Sequence, residues 1–210
     1  MTVYVVANPK GGVGKSTIAT NLAGYLASKA QAVCLGDIDR QESARLWLSL
    51  RAPQLAPIAL WPADPDDVTR LPKGMTHGVL DTPAGLTGKR LREVLKRADK
   101  VIVPLQPSVF DIFATRDFLT ELMDDRHADS LQVAVIANRV REHSHSAEQL
   151  EQFLGSLGVT LLGHLRDTQN YLHLAAHGLT LWDVAPSRVE RDLELWQPLL
   201  AWADTPVGKA

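Results

Sequence analysis

The chain has 210 residues, with 24 acidic and 22 basic side chains and a formal net charge of −2. It is long enough for one α/β domain with a fully buried sheet, and its charge excludes a uniformly basic, nucleic-acid-coating protein while leaving room for a local basic patch. The single cysteine, Cys34, excludes an intrachain disulfide and suits a reducing cytoplasm, and no apolar run approaches the ~20 residues that cross a bilayer.

Short apolar runs at Val3–Ala7, Ala32–Gly36, Ile58–Trp61, Gly78–Leu80, Val101–Leu105, Val133–Ala137 and Val159–Leu162 read as strands. Several are continuous, as parallel strands covered on both faces require. The first run leads into Asn8-Pro9-Lys10-Gly11-Gly12-Val13-Gly14-Lys15-Ser16-Thr17. This is the phosphate-loop pattern G-x-x-x-x-G-K-[ST] without its upstream glycine and with an added lysine, Lys10. The glycines let the backbone turn its N–H groups toward phosphate oxygens. Lys15 is placed to reach the β/γ-phosphates, Ser16 to ligand Mg²⁺, and the following helix to offer its positive end. That helix, Ser16–Ser28, carries Ile18, Leu22, Tyr25 and Leu26 on one stripe.

The second strand ends in Gly36-Asp37-Ile38-Asp39-Arg40-Gln41. Pro62–Gly74, rich in proline and aspartate, reads as a loop or a broken short helix. The fourth strand ends in Asp81-Thr82-Pro83-Ala84-Gly85, and an aspartate at a buried strand end is costly unless it serves a cation or accepts hydrogen bonds. Next come Pro104-Leu105-Gln106-Pro107-Ser108 and a helix whose stripe is Phe110, Phe113, Ala114, Phe118 and Leu122. The sixth strand closes in Ala137-Asn138-Arg139. After Asp183-Val184-Ala185-Pro186-Ser187, a last helix puts Val189, Leu193, Trp196, Leu199 and Leu200 on one side and Glu190, Asp192 and Glu194 with Arg188 and Arg191 on the other. Strand–helix alternation of this kind predicts a single domain over 1–210, an α/β, doubly wound, mostly parallel sheet with helices on both faces and ligands at the carboxyl ends of its strands.

Lys10 to Thr17 match K-G-G-x-G-K-[ST]-T, the deviant Walker A box of the ParA/MinD ATPases, at every position. The chain resembles that family along essentially its whole length, and most of all the short partition type without an N-terminal helix-turn-helix domain. The resemblance implies ATP and Mg²⁺ as cofactors and a homodimer that forms on ATP and separates on hydrolysis. It implies that Lys10 crosses the dimer interface to the partner's nucleotide, that Asp39 positions the attacking water and that Asp37 lies near Mg²⁺. Asp81 looks like the Walker B aspartate, acting through a Mg²⁺-bound water. Asn138 matches the residue that reads the adenine edge; Pro186 lies in a segment similar to the loop covering the base, and 104–108 resembles the dimer flank. Arg40 stands where the family has proline.

Three uses of such a switch compete. One is a nucleoid-associated positioning ATPase that binds non-specific DNA as an ATP dimer and is stimulated by a ParB-like or cargo-borne protein. Its candidate DNA contacts are Arg139, Arg141, Arg166, Arg188 and Arg191. A MinD-like membrane regulator is disfavoured by the acidic residues of the last helix, which anionic lipid would repel. A metabolic enzyme on the same scaffold is disfavoured, an iron–sulfur reductase by the lone cysteine and a biotin-pathway synthetase by the signature lysine Lys10. The histidines His143, His145, His173 and His177 lack a metal-binding spacing and read as surface residues.

Overall fold

The computed structural model describes residues 1–64, 70–124, 131–140, 155 and 159–207. Its strands are β1 (Thr2–Val6), β2 (Val33–Asp37), β3 (Ala59–Leu60), β4 (His77–Asp81), β5 (Lys100–Leu105), β6 (Gln132–Val140) and β7 (Thr160–Arg166). They form one sheet in the order β3-β2-β4-β1-β5-β6-β7 with every pairing parallel. The seven expected strands are all present, each within a few residues of its apolar run.

The period of two along β1 divides the core. Val3 and Val5 face one side, and Tyr4 and Val6 the other. The first side is covered by α3 (Gly88–Leu95) and α4 (Val109–Met123) through Leu91, Val94, Phe118, Leu119 and Leu122. The second is covered by α1 (Lys15–Ser28), α2 (Ser43–Leu50), α5 (Asn170–Ala175) and α6 (Glu190–Ala203), which contribute Ile18, Leu22, Trp47, Tyr171 and Trp196. Strand order reverses around β1 and β4, so the carboxyl ends of β1, β2, β4 and β6 open one crevice where chain connections diverge.

Two helices differ from expectation. In α4 the buried positions are Asp111, Thr115, Phe118, Leu119 and Leu122, whereas Phe113 is 56% exposed and Ala114 is also exposed; the Phe110 side chain lies outside the described residues. The cause is at the N-terminus, where Ser108 caps the helix by accepting from the Asp111 N–H and donates to Asp111 Oδ2 at 2.5 Å. Satisfying Asp111 inward turns Phe113 outward.

In α6 the side with Trp196, Leu199 and Leu200 is buried as expected, each contributing roughly 2 kcal/mol. Asp192, expected on the polar face, has no exposure at all. It accepts from Arg166 Nε at 2.5 Å, from Arg166 Nη2 at 3.1 Å and from Asn170 Nδ2 at 2.6 Å. The far end of α6 is held by Lys100, fully buried at the start of β5, whose ammonium donates to the carbonyls of Trp202, Ala203 and Thr205. No helix among the described residues is long and apolar enough to cross a membrane.

Candidate nucleotide site

The turn between β1 and α1 encloses a cavity of about 290 Å³ lined by Gly11, Gly12, Gly14, Lys15, Ser16, Thr17, Asp39, Gln41, Ser43, Ala84 and Arg139. Gly14 precedes the helix with φ 95°, a left-handed conformation that side chains oppose. Space forbids one as well: a Cβ there would lie 2.1 Å from Asn138 Nδ2. Asn138 in turn donates through Nδ2 to the Val13 carbonyl at 2.7 Å, tying the end of β6 to the loop. The Lys15 ammonium donates to the Lys10 carbonyl at 2.9 Å, across the mouth of the turn. Burial pulls its pKa below the ordinary lysine value, and Asp81 and Asp39 pull it back up.

Asn8 braces the loop from beneath, and sequence reasoning missed it. It is fully buried, donates to the Pro104 carbonyl at 2.8 Å and to Thr115 Oγ1 at 3.2 Å, and accepts from the Lys10 N–H at 2.8 Å. Gln106 Nε2 reaches the Gly12 carbonyl at 3.0 Å from the β5–α4 loop. Both were legible only as polar residues beside a strand end, since their partners are remote in sequence.

The acids fall into distinct roles. Asp37 and Asp81 are register neighbours on β2 and β4. Asp37 Oδ1 accepts from the Asp39 N–H at 2.9 Å, and its Oδ2 from the N–H groups of Ala44 at 2.8 Å and Arg45 at 3.1 Å. It therefore shapes the loop carrying Asp39 and caps α2. Asp39 is half-buried, accepts from the Gln41 N–H at 3.0 Å, and lines both the phosphate cavity and an adjoining groove of about 410 Å³ that holds Arg40 and Arg90. Asp81 is 1% exposed, neither carboxylate oxygen has a hydrogen-bond partner, and burial raises its pKa to about 7.

Among the described residues no group of three or more His, Cys, Asp or Glu is arranged to hold a metal. A divalent cation at this place would draw on Ser16, Asp81 and phosphate oxygens, a ligand set suited to Mg²⁺. The orphaned oxygens of Asp81 fit that assignment.

Lys10, at the head of the loop, forms an ion pair within its own chain to Asp111 Oδ1 at the start of α4. Beyond Asn138, a smaller cleft of about 60 Å³ is lined by Thr17, Asn138, Arg139, Arg166, Asp167, Thr168, Gln169, Tyr171 and Leu172. Pro186 is absent from that lining. It begins an exposed single turn, Pro186–Arg188, and neighbouring Asp183 is engaged by Arg51 at 2.8 and 2.9 Å. The segment after β7 lines this cleft together with Asn138.

Across residues 4–181 the chain matches the model for the CobQ/CobB/MinD/ParA nucleotide binding domain. It belongs to this ParA/MinD family. It is 37% identical over 112 residues to the maintenance of carboxysome distribution protein A of Gloeobacter kilaueensis, covering 52% of this chain and 51% of that relative. It is 27% identical over 164 residues to the protein of that name from Halothiobacillus neapolitanus, with 75% of each covered. The chain thus spans about half the length of the first relative and three quarters of the second.

The fold is shared with solved ParA/MinD structures. The Pyrococcus horikoshii MinD complexed with Mg-ADP superposes with TM-score 0.72 at 18% identity, over 97% of this chain and 96% of that one. The Borrelia burgdorferi plasmid partition protein bound to AMPPNP gives 0.71 at 19%, over 96% and 99%.

Against the ParA/MinD background, the arginines considered for DNA that lie among the described residues have different settings. Arg139 lines the nucleotide cavities, Arg166 is engaged by Asp192, and Arg141 lies outside the described residues, as do His143 and His145. Arg188 and Arg191 are exposed around the start of α6; His173 and His177 are exposed on and beside α5.

Proposed function

We propose that the chain is a Mg-ATP-dependent ATPase that dimerises on ATP, binds non-specific DNA in that state and positions a cargo, with hydrolysis stimulated by a partner protein. The observation that carries this reading is the phosphate cavity itself: a buried Lys15 and the half-buried carboxylate of Asp39 line one glycine turn, and the buried Asp81 interacts with Lys15 from behind it. Lys15 and the loop N–H groups bind the β/γ-phosphates, and the start of α1 adds its positive end. Asp39 orients the attacking water, held in place by the Asp37-organised loop. Ser16 and Asp81 would hold Mg²⁺, which would supply positive charge to the phosphates.

Membership of the family and the named roles of its members, among them carboxysome distribution and chromosome partitioning, support the cargo-positioning part. Arg188 and Arg191 are the DNA contacts proposed on the exposed surface.

The deciding experiment is titration with a fluorescent ATP analogue alongside phosphate release. Lys15→Ala is expected to lose nucleotide binding. Asp39→Ala is expected to retain binding while hydrolysis falls about a hundredfold or more. Unchanged affinity in Lys15→Ala would remove the phosphate-site assignment, and a wild-type rate in Asp39→Ala would move the water-positioning role elsewhere.

A further inference from the structure

We infer that Arg139 is a nucleotide ligand, a guanidinium that holds the α-phosphate where the phosphate cavity meets the base cleft. The inference rests on the nucleotide-site reading above and adds to it a residue outside the phosphate loop. The two cavities have two lining residues in common, Thr17 and Arg139. A nucleoside triphosphate with its β/γ-phosphates on Lys15 and its base beside Asn138 has its α-phosphate and ribose at that junction. Among the described residues Lys15 and Arg139 are the basic side chains lining the phosphate cavity, and a planar guanidinium suits a phosphate oxygen pair better than an ammonium does.

The backbone supports the same placement. Arg139 has φ 54°, a left-handed value for a residue with a long side chain, at a cost of about 1 kcal/mol. The conformation persists because both neighbours are fixed. Asn138 is pinned to the Val13 carbonyl, and the Val140 carbonyl accepts from the Asp167 N–H at 3.3 Å. The pairing of β6 with β7 slips at this point, between Ala137 and Val140. The irregularity leaves Asn138 and Val140 buried and Arg139 on the open side, at the nucleotide cavities.

An α-phosphate is present in ATP and ADP alike, so the contact is blind to the state of the γ-phosphate. Lys15, by contrast, serves the β/γ-phosphates. The test is calorimetric titration of Mg-ATP and Mg-ADP into wild type, Arg139→Asn and Lys15→Ala. Asparagine tolerates the left-handed backbone, so Arg139→Asn removes the guanidinium without adding strain, and its nucleotide-free melting temperature should match wild type.

Arg139→Asn should weaken ATP and ADP by the same factor, about tenfold to a hundredfold for a charge-assisted contact. A loss confined to ATP would overturn the α-phosphate assignment. So would unchanged affinities, whether or not a mobility shift showed that DNA binding had fallen. If Lys15→Ala abolishes binding while Arg139→Asn changes nothing, the inference fails alone. If Lys15→Ala also changes nothing, the site reading fails with it.

Discussion

Asp81 combines near-complete burial with two carboxylate oxygens that lack hydrogen-bond partners, which destabilises the ionised form in the metal-free chain. Burial lifts its pKa from 3.8 to about 7, with the Lys15 charge opposing and Asp37 and Asp39 adding to the rise. Between those values the unfolded carboxyl has lost its proton and the folded one retains it. Stability of the metal-free protein therefore falls as pH rises from about 4 to about 7, and this contribution is flat above that window. Asp81→Asn should raise the melting temperature of metal-free protein at pH 8 by several degrees, with the gain shrinking toward pH 5. The same variant should lose any stabilisation by Mg²⁺ added with nucleotide. A pH-independent gain, or retained Mg²⁺ dependence, would show that the carboxylate is not the strained cation ligand described above.

At the scale of elements, the junction of β7, α5 and α6 is organised by one buried carboxylate. Asp192 has zero exposure and receives Arg166 and Asn170; Arg166 is 29% exposed at its side chain. Removing the carboxylate takes away an acceptor that a partly buried guanidinium and an amide share, at a cost of about 3 kcal/mol. Asp192→Ala should therefore shift the urea midpoint well below that of wild type. Arg166 and Gln169 also line the cleft opposite Asn138, so the variant should weaken nucleotide binding at temperatures where it remains folded. A large loss of stability with wild-type affinity would separate the junction from the cleft.

For the whole molecule, the arrangement of Lys10 bears on assembly. Its ammonium pairs with Asp111 of the same chain, so reaching a second subunit requires that contact to open. Lys10→Ala should bind ATP as a monomer and fail to dimerise in light scattering. It should also lose any ATP-dependent DNA binding, because a footprint shared by two subunits needs both. Replacing Arg188 and Arg191 together should weaken DNA binding while dimerisation persists, and raising salt should reproduce the loss in wild type, as counterion release requires. A wild-type protein that binds no duplex in any nucleotide state at low salt would overturn the nucleoid reading.

The strands, their parallel arrangement and the phosphate loop are local features, readable because apolar runs and glycine spacing act over a few residues. Asp39 and Asp81 were found at strand ends for the same reason. The lining of the cleft was not readable that way: 166–172 carries no local signal of its own, and the packing of β7 against β6 brings it beside Asn138. Nor could composition separate the arginines. Arg139 and Arg166 look alike in sequence, yet a slipped strand pairing leaves one lining the nucleotide cavity and a buried Asp192 engages the other. Asp111 and Asn8 escaped notice because their partners, Lys10, Pro104 and Thr115, depend on the approach of α4 to β1. The sequence by itself determined which strands form and where the glycine loop proposed to hold the phosphates lies. Tertiary structure decided which charges are committed and which remain on the surface, because pairing depends on contacts between residues distant along the chain.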